Sequence, residues 1–303
     1  MIYLPIAEMP VNVLLVLLVS GAVGFVSGLI GVGGGFIMTP SLMFLGVPPP
    51  VAVATGASQI AATSFSGIMT QTRRKSVDWR MGILLSIGGI IGSASGVWLF
   101  ERLLHFGQLD LIVSILYLVL LSSVGFLMVR EAYHVWRGRE VKGVSILRRP
   151  VKTVAHTLPL RLRFPRSGLY ISIIPPLAIG FGIGALAAIM GIGGGFILIP
   201  AMIYLLRMPT NVVIGTSLFN VLITTSLIVI LQSTATQTVD LVLAGLLMLG
   251  GVIGAQLGAR LGAGWKGEHL RAALGVLLLL ASAKFLWDLV VPPTEQYVLR
   301  GMW

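Results

Sequence analysis

A ten-residue segment that occurs twice constrains this chain more than any other feature. Gly31-Val32-Gly33-Gly34-Gly35-Phe36-Ile37-Met38-Thr39-Pro40 returns 160 positions later as Gly191-Ile192-Gly193-Gly194-Gly195-Phe196-Ile197-Leu198-Ile199-Pro200, with seven of ten positions identical. Both copies sit inside long apolar runs. Non-helical backbone at such a place is tolerated in a membrane only when it is buried in protein or lines a cavity. The two glycine clusters therefore read as the halves of one intramembrane site.

A membrane setting follows from the balance of residue types. With 56% hydrophobic residues, 10% charged residues and a mean hydropathy of +0.98, 303 residues cannot cover a water-facing globule. The formal charge of +11 does not point to nucleic acid, because the basic residues cluster between apolar spans, as cytoplasmic segments beside spans do. There is no cysteine, so thiolate metal sites and cysteine nucleophiles are excluded, and His105, His134, His156 and His269 lack metal-ligand spacing. No cofactor, resident metal or catalytic residue is expected.

Met1 to Pro10 carries Glu8 and no basic residue, unlike the start of a signal peptide, so the first span, about Val11 to Ile30, is expected to stay. After the first cluster, Phe36 to Val47 reads as a helix of ~18 Å, too short for a ~30 Å hydrocarbon layer. Spans are expected near Val51–Gln71, Met81–Phe100 and Leu109–Val129, and in the second half near Leu169–Met190, Val212–Leu231, Leu241–Leu261 and Leu270–Val290, with a second short helix at Phe196–Leu206. The expected fold class is an all-α integral membrane protein of two inverted repeats, each of about five helices, with short or broken helices after the glycine motifs. Residues 1–130 form the first repeat, 131–168 a basic linker and 169–303 the second repeat. Within the linker, Leu160-Arg161-Leu162-Arg163-Phe164 alternates at a period of two, the pattern of a strand or of a segment lying on anionic headgroups.

Five crossings per repeat invert the second copy. With the linker inside, 18 of the 21 Lys and Arg fall on the cytoplasmic side and both termini fall on the periplasmic side. Inverted duplication with interrupted helices at corresponding places marks secondary transporters whose site lies between the repeats. Further duplicated glycines, Gly88, Gly89, Gly92 and Gly96 against Gly250, Gly251, Gly254 and Gly258, read as close helix packing.

The candidate substrate-binding residues come from two sources. Gly33, Gly34, Gly35, Gly193, Gly194 and Gly195 precede short helices whose N-termini carry partial positive charge and free N–H groups suited to an anion. Polar faces of the helices that follow supply Ser58, Gln59 and Thr63 in the first half and Thr216, Ser217 and Asn220 in the second. Gly56-Ala57-Ser58 and Gly215-Thr216-Ser217 align, which pairs Ser58 with Ser217. On this reading an alanine at Gly34 or Gly194 lowers anion affinity, the fold surviving if the methyl is accommodated without overpacking, whereas on a packing reading it lowers thermal stability and leaves affinity near normal. A buried acidic proton relay is not expected, since Asp78 and Asp240 stand where carboxylates cap helices.

The duplicated Gly-x-Gly-Gly-Gly segment ending in proline, the downstream Gly-Thr-Ser and the Gly-Gly-x-Ile-Gly helix resemble the sulfite and organosulfonate exporter family, TauE/SafE, over roughly residues 11–130 and 169–290. The resemblance implies a bacterial inner-membrane permease for small sulfur-containing anions, with alternating access. The partners expected are that small anionic substrate and, from the basic residues, membrane lipids with anionic headgroups at the linker and no nucleic acid; homo-oligomerisation is left open. An anion channel, a non-transporting assembly factor and an intramembrane enzyme are the alternatives. The enzyme would need a paired base and nucleophile or a metal cluster within the spans, and none is visible.

Overall fold

The computed structural model describes residues 2–30, 35–136, 161–261 and 267–291. Ten helices occur among them: α1 (Val13–Ile30), α2 (Gly35–Phe44), α3 (Pro49–Arg73), α4 (Trp79–His105), α5 (Leu109–Trp136), α6 (Ile174–Met190), α7 (Gly195–Tyr204), α8 (Thr210–Ala235), α9 (Leu241–Leu261) and α10 (Gly267–Val290). The chain is an all-α membrane protein with two small hairpins, β1 (Ile2–Leu4) with β2 (Met9–Val11) and β3 (Arg161–Phe164) with β4 (Leu169–Ser172).

Five stretches are long and apolar enough to cross a membrane: Trp79–His105, Leu109–Arg130, Val212–Ala235, Leu241–Leu261 and Ala273–Val290. The span expected at Val51–Gln71 lies in α3, which is not among them because its polar face lowers its hydropathy. That face is not lipid-facing near the start of the helix, where every residue from Val51 to Ile60 is buried. The short helices are ten residues each, about 15 Å, and start at Gly35 and Gly195, one position earlier than expected. Pro40 and Pro200 lie inside them.

Two departures from the sequence reading share one cause. The stretch Leu169–Met190, expected as one span, divides into β4 and α6. The alternating segment, left between strand and surface, is the strand β3, inside the stretch expected as linker. The registers explain both. Ile2 pairs with Val11 and Leu4 with Met9, while Leu162 pairs with Ile171 and Phe164 with Leu169, so the hairpins repeat at the 160-residue offset of the glycine clusters. Each copy of the duplicated unit opens with a hairpin.

The chain divides into two compact units, residues 1–109 with 143–264 and residues 110–142 with 265–303. In the larger unit α1 packs on α9 and α4 on α6, each pair through glycines. A Cβ at Gly92 would overlap the Phe181 carbonyl and one at Gly254 the Gly21 carbonyl; Gly88, Gly180, Gly184 and Gly258 stand equally close to facing backbone. This is the close packing that the spacing predicts. The helix α3 also packs on α8 and α9, and α8 on α4, so the α1–α9 and α3–α9 contacts recur as α6–α4 and α8–α4 with the two halves of the chain exchanged.

Hairpin β1–β2 buries Leu4, Ala7 and Val11 against Met38 and Leu42 of α2, Val51 and Ala52 of α3, and Leu243 and Leu247 of α9. Hairpin β3–β4 buries Phe164 and Ile171 against Leu198 and Met202 of α7, Val212 and Val213 of α8, and Met81 and Leu85 of α4. In the smaller unit Tyr117 of α5 stacks on Phe285 of α10 at 5.6 Å, and Gly125 and Gly275 bring the two helices together. Lys284 and Asp288 form an exposed i, i+4 ion pair at 2.6 Å on α10.

Candidate functional site

The two short helices meet at their N-termini. Phe36, second residue of α2, and Phe196, second residue of α7, stack with ring centroids 4.4 Å apart and planes 22° from parallel. Gly35 approaches the Ile192 carbonyl so closely that a Cβ there would overlap it and the Ile60 side chain. Thr39 of α2 donates its hydroxyl to the Gly191 carbonyl at 3.2 Å, tying the first short helix to the second cluster.

The second cluster breaks the chain by conformation. Gly191, Gly193 and Gly194 have φ of 68°, 71° and 73°, the left-handed region that a side chain disfavours. The result ends α6 and restarts the chain as α7, where the Ile197 N–H already donates to the Gly194 carbonyl at 3.2 Å and the Gly195 and Phe196 N–H groups precede the intrahelical ladder. Residues 191–195 are all buried, between Ile183 and Ala187 of α6, Val53 and Ile60 of α3 and Thr225 of α8. Gly33 and Gly34 lie outside the described residues.

At Gly194 the condition for a clean affinity test, room for a methyl, is not met. A Cβ at this position overlaps the Ile183 side chain as well as meeting the left-handed backbone, so Gly194→Ala perturbs folding and cannot isolate a loss of anion affinity.

The polar residues of α3 and α8 are buried but do not converge on one point. Thr63 donates to the Ile60 carbonyl at 3.1 Å and Ser217 to the Ile214 carbonyl at 2.9 Å, the local back-bonding common for helical hydroxyls. Ser58 is also buried. Gln59 faces α1 and α9: its Nε2 donates to the Ser20 carbonyl at 3.2 Å, and its side chain fills the space in front of Gly251. Asn220 lies against Gly89 of α4, and its Nδ2 is buried with no hydrogen-bond partner.

Those contacts reset the register between the copies. The main-chain N–H of Asp78 donates to Thr216 and that of Asp240 to Thr55, both at 3.0 Å, and Gly89 and Gly251 are equivalent glycines facing Asn220 and Gln59. Thr55 therefore corresponds to Thr216 and Gln59 to Asn220, an offset of 161. Ser58 and Ser217, paired in the sequence through Gly-Ala-Ser and Gly-Thr-Ser, stand two residues out of register.

Sequence reasoning missed two features. Ser64, which this register pairs with Thr225 beside Gly193, is buried with an unpartnered hydroxyl. Asp78 and Asp240, the only buried charged side chains among the described residues, hold more than their own helices. Oδ1 of each accepts from the first turn of its helix (Met81 at 3.2 Å, Leu243 at 3.0 Å), while Oδ2 accepts from a hairpin N–H (Ser167 and Ile6, both at 3.1 Å). The capping spacing was visible in the sequence; the hairpin partners, 89 and 234 residues distant, were not.

The chain is 29% identical over 272 residues to a probable membrane transporter protein of Xylella fastidiosa (strain 9a5c), covering 88% of this chain and 92% of that one. It is 29% identical over 261 residues to the probable membrane transporter protein YunE of Bacillus subtilis (strain 168), covering 82% and 86%. It is 25% identical over 273 residues to the probable membrane transporter protein YjnA of the same organism, covering 89% and 98%. No solved structure matches the chain. Each of these relatives is named a probable membrane transporter protein. The profile described as Sulfite exporter TauE/SafE matches residues 16–285, nearly the whole chain, so this multi-pass membrane protein belongs to the TauE/SafE sulfite exporter family.

Proposed function

We propose that the chain is a secondary transporter of small sulfur-containing anions, sulfite or organosulfonates, working by alternating access between two inverted repeats. The observation that carries the reading is the Phe36–Phe196 stack, which brings the first turns of two short helices together. Two converging helix N-termini favour negative charge without a cationic side chain, which suits an anion that must also be released. The exchange of contacts between repeats supports the inversion. The helix α3 starts beside the end of α8, where Thr55 meets Asp240, and α8 starts beside the end of α3, where Thr216 meets Asp78.

In this account Gly33, Gly34, Gly35, Gly193, Gly194 and Gly195 supply backbone donors. Ser58, Gln59, Thr63, Thr216, Ser217 and Asn220 supply the polar face that orients the ligand or holds the helices that do. The protein lies in the inner membrane with the basic 131–168 linker on anionic cytoplasmic headgroups. Export then draws on the membrane potential, worth ~2.3 kcal/mol per charge per 100 mV for an anion leaving a negative interior.

Thermal unfolding of the purified protein against sulfite, short organosulfonates, sulfate and carboxylates tests the reading. A bound anion at a hundred times its Kd stabilises the fold by ~2.7 kcal/mol. Stabilisation by sulfite or sulfonates is expected, and stabilisation by carboxylates alone, or by none of the panel, overturns the substrate class.

A further inference from the structure

The hairpins and the buried aspartates form the same device twice. Asp78 joins three elements: the start of α4 through Met81, hairpin β3–β4 through the Ser167 N–H and hydroxyl, the latter at 2.6 Å, and α8 of the same unit through Thr216. Asp240 joins the start of α9 through Leu243, hairpin β1–β2 through Ile6, and α3 through Thr55. The two devices stand at opposite ends of the larger unit. The helix α3 begins in the cluster that holds β1–β2 and runs 25 residues, about 37 Å, towards Asp78 and β3–β4.

A two-stranded hairpin is marginal by itself, so each depends on what clasps it. The clasp is also placed to report on the site. Thr55 precedes Gln59 by one turn of α3, and Thr216 precedes Asn220 by one turn of α8, so the hydroxyl that meets each aspartate shares a helix face with the amide proposed to line the ligand path. A small rotation or slide of either helix moves both.

We propose that the two hairpins are the gates at the two ends of the transport path, and that Asp78 and Asp240 are the positioning residues that hold them shut. A carboxylate accepts from the helix and from the hairpin at once. An asparagine has one oxygen and accepts in only one of those directions, the helix cap being the one it favours. Asp78→Asn therefore loosens β3–β4, which Arg166 still ties to the Val77 carbonyl at 2.6 Å, and leaves β1–β2 closed; Asp240→Asn does the reverse. The inference rests on the transport reading for what passes the gates, but the opening of a hairpin is measurable without any substrate.

The chain contains no cysteine, so single cysteines can be placed without background. Ala7 and Ser167 occupy equivalent hairpin turns at the 160-residue offset and are 6% and 7% exposed. Each is changed to Cys, in nanodiscs that leave both faces accessible, and the rate of labelling by a charged maleimide is measured. Ser167→Cys removes a hydroxyl donor but keeps the N–H that Asp78 accepts. Asp240→Asn is expected to raise labelling at position 7 by roughly tenfold or more, the scale of one lost hydrogen bond to a charged group, with position 167 unchanged. Asp78→Asn is expected to raise labelling at position 167 and leave position 7 unchanged. Should either asparagine variant fail to fold, Asp78→Ser or Asp240→Ser keeps a helix-capping oxygen and removes the second acceptor that reaches the hairpin, and each is expected to open its own hairpin selectively. Equal labelling of both cysteines, or no increase at either, overturns the proposal. Absence of sulfonate or sulfite transport by the wild-type chain sinks the transport reading and leaves these ratios untouched.

Discussion

Gln59 and Asn220 are equivalent in the two repeats, yet their amides differ in a way that predicts opposite effects of one substitution. Gln59 reaches the Ser20 carbonyl on α1, so Gln59→Leu removes a hydrogen bond and leaves a buried carbonyl with one acceptor site empty. The net loss is about 1 kcal/mol. Asn220 is one methylene shorter, and its Nδ2 meets no acceptor. A buried unsatisfied donor costs ~1–3 kcal/mol, so Asn220→Leu, close in shape and fully apolar, relieves that cost. The leucine variant at 220 is therefore as stable as wild type or up to about 3 kcal/mol more stable, while the variant at 59 is less stable. A donor kept at such a cost fits a ligand, and transport by Asn220→Leu is expected to fall about tenfold, the equivalent of ~1.4 kcal/mol of lost interaction. Thermal unfolding in detergent and flux in proteoliposomes read the two effects separately. Loss of stability at 220 equal to that at 59, with normal transport, would refute the reasoning.

Three further outcomes follow from the packing and the charges. Gly194→Ala places a methyl on a left-handed residue and against Ile183, so strain of ~1–2 kcal/mol and overpacking of ~1–3 kcal/mol lower stability by about 2–5 kcal/mol in total, as denaturation in detergent measures. Gly92→Ala and Gly254→Ala, equivalent positions against the Phe181 and Gly21 carbonyls, destabilise by similar amounts of ~1–3 kcal/mol; a large effect at one with none at the other contradicts the matched α4–α6 and α1–α9 seams. Reporter tags at both termini are expected in the periplasm and one between 137 and 160 in the cytoplasm, and termini on opposite faces contradict five crossings per repeat.

Much of this architecture was legible because the duplication is carried by residues with few substitutes. Only glycine permits the backbone of the second cluster and the approach of α4 to α6, so those positions stood out without any structure. The hairpins did not. Strands of three and four residues are too short for periodicity to declare them, and the second lay within a basic stretch whose charge dominated its reading. The register of α3 against α8 failed for another reason. Gly-Ala-Ser and Gly-Thr-Ser look alike, but the fold selects residues by what faces the neighbouring helix. Thr55 and Thr216 each meet an aspartate more than a hundred residues away, which no local pattern encodes. The candidate site was visible as polar faces at helical spacing, whereas the placing of Gln59 and Asn220 at helix seams depended on which glycines stand opposite them.

The central claim is that a small sulfur-containing anion is carried through this protein by alternating access. Counterflow in proteoliposomes tests it most directly: vesicles preloaded with unlabelled sulfite are diluted into a trace of radiolabelled sulfite. The account predicts transient accumulation of label above equilibrium, saturating with external sulfite and competed by short organosulfonates. Label that equilibrates without overshoot and without saturation would show a channel, and label that does not enter at all would contradict the account outright.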